Sequence, residues 1–556
     1  MSENTIAIYC VNTSKSIDVC AGATLLEIVE TLRLTGPNRP MNAKVNNVVR
    51  GLNYRCWTPV DVEFMGYDSP SGKRTYVRSL AFLLAKAVYE LYPSGKLYIE
   101  HSISKGYYCV LKHVGEVTEE MVKGIKTRME TYVKADYVLK ERIVRLDVAL
   151  HLLRKVGADD RSVLYETAGI PYVHFYEMEG YINCFYGCLL PRTSFITLFD
   201  LISYKEGLLI RVPQANKMDE LEPVVKQDKL FEAYKRNLKL LRSLNMDNVA
   251  DLNWANQNGQ TKSLVLISEA MQEKYISQIA IEVAKRYETG VRVVLISGPS
   301  SSGKTSFRNR LEIQLRTNLL DTMGISLDDY FVNRSQTPSD ENGQKDYESL
   351  YALDLLHFNK DLKKILAGEE VELPSYNFTL GMREYKGHTV HLKPHTILVI
   401  EGIHGLNPEL TSLIPAAAKF KLYVSALTTI SLDNHNWIPT SDNRLLRRIV
   451  RDYRTRGNSA KMTLDRWPSV RRGEDKWIFP YQEEADMTFN SAMLYELAAL
   501  RPVVEPLLRT VLPTDKAYSE AYRLLRFLNY FVTISSDMLP KTSLIREFVG
   551  GGAFLD

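Results

Sequence analysis

Apolar positions recur along this chain in three rhythms. Residues 5–65 alternate in short runs, IAIYC, SIDV, MNAKV and DVEFM, around one stretch of helical spacing, TLLEIVETL at 24–32, which predicts a small α+β module. From 78 to 99 and from 118 to 156 apolar residues return at helical intervals, and 160–212 mixes strand and turn signals, so a second α+β module is expected there. Helical spacing dominates 226–288, through DKLFEAYKRNLKLLRSL and SLVLISEAMQEKYISQIAIEVAKRYETG. From 289 to 512, short wholly apolar runs alternate with amphipathic stretches, the pattern of an open parallel sheet with helices on both faces. A helical tail at 515–540 leads to LIREFVGGGAFLD, whose glycine triplet predicts a flexible end or a close backbone approach. The expected boundaries are 1–66, 67–225, 226–288, 289–512 and 513–556, a multidomain α/β and α+β chain without repeats or low-complexity linkers.

The run VRVVLIS (291–297) reads as a buried strand and SFRNRLEIQLRT (306–317) as a helix, and between them lies GPSSSGKT (298–305). Gly298 and Gly303 bracket four residues before Lys304 and Thr305, the full G-x-x-x-x-G-K-[ST] pattern of a nucleoside-triphosphate grip. The glycines let backbone N–H groups turn inward and the helix start adds positive partial charge. Lys304 reaches the β- and γ-phosphates, and the Thr305 hydroxyl is a ligand for Mg²⁺. Gly298, Ser300, Ser301, Ser302, Gly303, Lys304, Thr305 and Ser306 are the expected ATP contacts.

Two further apolar runs end in carboxylates. ISLDDYF (325–331) closes a short strand on Asp328 and Asp329, where an open sheet places its ligand, so Asp328 is expected as base or orienting group for an acceptor hydroxyl. TILVI (396–400) stops at Glu401, a position suited to organising Mg²⁺ and its waters together with Thr305. TSDNRLLRRIVRDYRTRG (440–457) sets Arg444, Arg447, Arg448 and Arg451 on one helical face, with Arg454 and Arg456 in the next turn. Like charges so arranged repel, so the stripe is expected to face an anion, as a lid over the transferring phosphoryl group; a solvated basic face is the alternative. LPSYNF (373–378) and TLGMRE (379–384) offer Tyr376, Phe378 and Arg383, aromatic faces and a cation suited to a flat base with polar edges, with strand packing as the alternative.

Composition narrows the class. At 45% hydrophobic and 24% charged residues the 556-residue chain is an ordinary globular one, and a net charge of +4 restricts any polyanion site to a local patch. All six cysteines lie at or before Cys188, so no dense disulfide framework is implied, and neither a leader-like start nor a membrane-length apolar run is visible. A cytoplasmic protein with no membrane partner is expected.

Taken in order, GPSSSGKTS, LDDYF, DYESLYALD (346–354), LPSYNF, VIEGIHGLNP (399–408) and RLLRRIVRD resemble the uridine kinase/phosphoribulokinase family, nearest to uridine-cytidine kinases. The resemblance implies ATP- and Mg²⁺-dependent phosphorylation of a nucleoside 5′-hydroxyl on a P-loop fold, and a homo-oligomer. It makes Asp328 the base, Asp346 a ribose-binding carboxylate, Tyr376 and Phe378 the base-site aromatics, Glu401 the magnesium-site acid, and Arg444 and Arg447 the substrate and lid arginines, with Arg448 and Arg451 in the same lid. Lys304 and Arg447 join Asp328 as its catalytic groups. Where uridine-cytidine kinases carry a histidine after the aromatic pair, this chain offers Arg383, and DYESLYALD is longer than the usual loop.

The front half is similar to other proteins. Residues 5–65 look like a β-grasp-type TGS domain, and 67–212 look like the editing-type second additional domain of threonyl-tRNA synthetases, through RSLAFLLAKAVYELYP (78–93) and YINCFYGCLLPRT (181–193). The His and Cys positions of that editing pocket hold Arg78, Phe82, Phe185 and Leu189, none of which ligates a metal or moves a proton as imidazole or thiolate does, so no editing hydrolysis is expected. Cys184 and Cys188 stand at C-x-x-x-C spacing without matching partners, which predicts buried thiols and no zinc. Arg192 and the basic residues of 122–143 are candidate RNA contacts, with solvated helix faces as the alternative. Two other functions remain open: an RNA- or ribosome-binding NTPase switch, and a kinase for a different sugar-containing acceptor.

Overall fold

The computed structural model describes residues 5–554 except 37 and 342. Its first sheet has five strands in the order Lys15–Cys20, Thr5–Cys10, Val60–Met65, Asn42–Val45, Val48–Arg50. Alternation is literal in Thr5–Cys10, where Ile6, Ile8 and Cys10 are buried and their neighbours exposed. The helix Leu25–Thr31 starts on a capping box, with Thr24 accepting from the Glu27 N–H and Glu27 reaching back to the Thr24 N–H. This sheet shares one apolar core with the long helix Pro70–Leu91, through Ile8, Leu25 and Val62 on one side and Tyr76, Leu80 and Phe82 on the other.

The second module departs from its periodicity at three places. Helix Pro70–Leu91 gives way to a strand, Lys96–Ile103, that begins inside the stretch 78–99 expected to be helical. Between helices Glu119–Ala135 and Leu146–Lys155 the chain forms the strand Lys140–Arg145, an exposed sheet edge whose KERIVR sequence carries no alternation because neither face is buried. Asp159–Ala168, read as strand and turn, is a helix closed by Gly169 in the left-handed conformation.

Helices Asp228–Ser243, Val249–Gln257 and Thr261–Glu288 follow, as the spacing predicts. The C-terminal region then builds a five-stranded, wholly parallel sheet in the order Asp321–Ser326, Thr396–Glu401, Val293–Ser297, Lys419–Ser425, Met487–Asn490. Val293–Ser297 is central and buried throughout, and later strands are added on both its sides, so a crevice opens at its C-terminal end. Lys304–Thr317 and Thr261–Glu288 cover one face, and Leu355–Leu366 the other. The antiparallel pair Val371–Asn377 and Met382–Val390 stands outside this sheet.

The halves meet in a dry seam. One apolar cluster contains Leu153, Leu164 and Phe175 from the front half together with Ile430, Leu445, Leu446 and Phe527. Polar groups cross beside it: Arg161 donates to Asn183, whose Nδ2 meets His435 Nδ1 at 3.0 Å, and the Asn434 N–H donates to Asp160 at 3.0 Å. Arg74 donates to Glu520 at 3.1 Å, and Arg523 joins Glu520 to Asp442 at 2.7 Å. Among the described residues no helix is long and apolar enough to cross a membrane.

Candidate active site

The crevice at the end of Val293–Ser297 is built around the phosphate-loop sequence. Gly298 admits no side chain, since a Cβ would lie 2.0 Å from the Val424 carbonyl oxygen. Gly303 sits at φ +81° and delivers the chain into helix Lys304–Thr317, leaving the first N–H groups of that helix without intrahelical acceptors. Lys304 Nζ is folded back on the loop, donating to the Gly298 carbonyl at 3.0 Å and the Pro299 carbonyl at 3.2 Å. Burial lowers its pKa, against the pull of Glu401 and Asp328.

Glu401, at the tip of its strand, accepts from Thr305 Oγ1 at 3.1 Å and from Ser326 Oγ at 3.4 Å. It is buried, and burial raises its pKa. A hydroxyl and a carboxylate in direct contact form a hard-oxygen donor set, and this fits Mg²⁺, which takes few protein ligands and completes its octahedron from phosphate and water. Asp328 follows strand Asp321–Ser326 in a 3-10 turn, Leu327–Tyr330, and its charge bears on Lys304, Glu401 and Arg451 together. Its neighbour Asp329 points elsewhere, accepting the Tyr376 N–H at 3.1 Å and so pinning the outer strand pair to the crevice.

That pair brings Tyr376 and Phe378 into one aromatic wall. Their rings meet edge-on at 5.1 Å, and Phe331 joins them at 5.6 Å from Tyr376. Arg456 lies over the Phe378 ring at 4.6 Å. Phe331 is the F of the LDDYF run, and its share in the wall was not visible from spacing alone.

Two expected residues are placed differently. Arg383, expected at a base edge, donates to Asp354 at 3.1 Å and to the carbonyls of Tyr330 and Phe331 at 3.2 Å, which makes it a brace behind the wall. Asp346, expected on a sugar, accepts the Glu348 N–H at 3.1 Å and closes a turn. Glu348 is the carboxylate of this loop that turns inward: it is 7% exposed, lies 3.7 Å from Arg448, and has an unpartnered Oε2. Burial pushes its pKa up to about 7, with Lys304 and Asp328 also acting on it. The segment DYESLYALD carries both carboxylates two residues apart, and only the turn decides which one enters.

The arginine helix, Thr440–Arg456, is packed beneath the loop, where a lid over the transferring phosphoryl group was expected. Arg444 and Arg447 are each 1% exposed. Arg444 forks onto Glu474 and donates to the Ser300 carbonyl at 3.2 Å. Arg447 forks onto Glu496 and donates to the Ser301 carbonyl at 3.4 Å, while Arg448 donates to Ser300 Oγ at 2.7 Å. A buried guanidinium demands a carboxylate, and neither glutamate is marked by the arginine spacing. Arg451 keeps its partner Asp452 at 3.2 Å, and its charge bears on Asp328.

Known proteins resemble parts of this chain. Residues 293–497 match the sequence profile of the Phosphoribulokinase / Uridine kinase family. The uridine kinase of Bacillus pumilus is 30% identical over 197 residues, which are 35% of this chain and 84% of that enzyme. The threonine–tRNA ligase of Fusobacterium nucleatum is 29% identical over 197 residues, 35% of this chain but 32% of the ligase. A solved structure of a possible uridine kinase from Bacillus stearothermophilus is 20% identical with a TM-score of 0.24, covering 36% of this chain and 89% of its own. The chain belongs to the phosphoribulokinase/uridine kinase family and carries its P-loop kinase in the C-terminal region.

Proposed function

We propose that this protein transfers the γ-phosphoryl group of ATP to the 5′-hydroxyl of a pyrimidine nucleoside, uridine or cytidine. The observation that carries the reading is the placement of Asp328 within the same charge cluster as Lys304 and Glu401, beside a wall of Phe331, Tyr376 and Phe378. Phosphoryl transfer needs a positioned acceptor and stabilised equatorial charge more than covalent chemistry. The loop N–H groups and Lys304 hold the phosphates, Asp328 orients the hydroxyl and accepts its proton, and the aromatic wall takes the base. Thr305 and Glu401 would hold Mg²⁺, which would supply neutralisation of the phosphate charge. Arg447 and Arg448 act by stiffening the loop, and Arg451 is an arginine whose charge bears on Asp328. A base-free sugar acceptor has no use for stacked faces, which favours a nucleoside.

ADP release from ATP·Mg²⁺ against a panel of nucleosides, with products identified by mass, tests this. A 5′-monophosphate of uridine or cytidine is the expected product. ATP turnover with no phosphorylated nucleoside would reject it.

For the front half we propose a TGS-like module, 1–66, followed by an editing-like domain, 67–225, that has lost hydrolysis. The likeness to a threonine–tRNA ligase supports this. So does the packing at the former pocket, where the Phe82 and Phe185 rings lie 6.4 Å apart and the Arg78 guanidinium covers the Tyr186 ring at 4.9 Å. The same likeness favours RNA as a ligand of this half; Arg192 is already paired with Asp136 at 2.8 Å, so such a contact would rest on other cations. Filter binding of transfer RNA with and without ATP tests it, and a dissociation constant no tighter than for random RNA would exclude it.

A further inference from the structure

The helix that opens the phosphate grip already holds an anion, and the chain itself supplies it. Glu547, in the short turn Arg546–Val549 near the C-terminus, accepts from the Ser306 backbone N–H at 3.3 Å and from Ser306 Oγ at 2.8 Å. Ser306 lies in the first turn of helix Lys304–Thr317, where the free N–H groups and the dipole concentrate. The Glu547 charge also bears on Lys304 and Arg451.

The segment bearing Glu547 is seated in the catalytic region. Phe548 is fully buried with Arg447 over its ring at 4.8 Å, and Arg454 donates to its carbonyl at 2.8 Å. Gly550, at φ +90°, passes so close to Arg454 that a Cβ would lie 2.4 Å from the guanidinium. Arg546 ties the turn back to the carbonyls of Ser536 and Leu539 at 2.8 and 2.6 Å. The arginines of the helix beneath the loop thus contact the tail as well as the loop.

We propose that Glu547 is a built-in competitor for the phosphate grip, so that the closed C-terminal segment and the phosphates of a bound nucleotide exclude one another. This rests on the reading of 298–306 as a nucleotide grip. Two anions cannot share the Ser306 donors, because each would lose a charge-assisted hydrogen bond and face the other's charge at close range. Nucleotide entry therefore requires the Glu547 side chain, with its turn, to withdraw. The apparent affinity for nucleotide is reduced by the fraction of molecules in which the segment is closed.

Calorimetric titration of the full chain with ATP·Mg²⁺, ADP·Mg²⁺ and adenosine tests this in wild type, Glu547→Gln and Glu547→Ala, with Lys304→Ala as the control for the grip. Both Glu547 variants are expected to bind ATP and ADP about tenfold tighter, about 1.4 kcal/mol, with adenosine unchanged because it carries no phosphate. Unchanged or weaker nucleotide binding in Glu547→Gln, while wild type binds and Lys304→Ala does not, overturns the competitor and leaves the grip standing. Equal binding by wild type and Lys304→Ala overturns the grip, and the competitor with it. Should the variants fold poorly, amide exchange in wild type decides: ATP·Mg²⁺ is expected to speed exchange at 545–551, and unchanged or slower exchange overturns the proposal.

Discussion

Arg447 and Glu496 meet fork to fork beneath the phosphate loop, Nε to Oε1 at 3.1 Å and Nη2 to Oε2 at 2.6 Å, and both are sealed from water. Removing one member strands the other's charge in a site water does not reach. Arg447→Ala is expected to lower unfolding free energy by about 3–5 kcal/mol, read by urea denaturation. Arg451→Ala is expected to lose about 1 kcal/mol, since Asp452 keeps Arg448 and Arg456. Equal losses in the two variants would contradict this division between a bracing and a site-facing arginine.

Asp328→Asn keeps the shape of the side chain and removes its basicity. Turnover is expected to fall about 100- to 10,000-fold, with ATP·Mg²⁺ affinity changed less than about threefold. Stopped-flow or coupled assays read the first and titration the second. Normal turnover would take Asp328 out of the chemistry.

The aromatic wall predicts a change in KM more than in kcat. Phe378→Ala and Tyr376→Ala each remove about 1–3 kcal/mol of stacking, so KM for the nucleoside is expected to rise about tenfold or more. ATP affinity should stay put. A kcat defect with unchanged nucleoside KM would mean the rings only pack the strand pair.

Glu348 gives stability a pH dependence with a definite sign. Burial raises its carboxyl from 4.5 to about 7, so the folded chain keeps a proton that the unfolded chain has released. This contribution is full below the unfolded value and is lost as pH rises through the folded one, by about 3 kcal/mol over the window. Arg448 attracts the charged form, Glu474 and Asp328 repel it, and Lys304 attracts it. Glu348→Gln is expected to gain on wild type steadily between about pH 5 and 7 in urea unfolding. Parallel curves would show that the group titrates normally.

Much of this architecture is legible in the chain, and the gaps have physical causes. Val293–Ser297 and Thr396–Glu401 announce themselves because strands buried on both faces must be apolar throughout, and the glycine pattern between strand and helix leaves little choice of loop. Lys140–Arg145 hides because an exposed edge imposes no pattern. At the site, Lys304, Thr305 and Glu401 could be found because local sequence fixes them at strand and helix ends. The roles of Glu348 against Asp346, and of Arg383 as a brace, depend on a turn and on distant carbonyls that no local period records. The partners Glu474 and Glu496 arrive from 30 and 49 residues downstream of their arginines, so a stripe that reads as unpaired is neutralised in three dimensions.

The dry seam between the halves bears on how this molecule comes apart. Leu164 and Phe175 share a cluster with Leu445 and Leu446, which flank the arginines that brace the loop, and Arg74 reaches that helix through Glu520, Arg523 and Asp442. Melting the front half would bare the apolar side of the arginine helix and leave those charges unmatched. Front and back are therefore expected to unfold as one cooperative block, with a single heat-absorption peak for the full chain in scanning calorimetry.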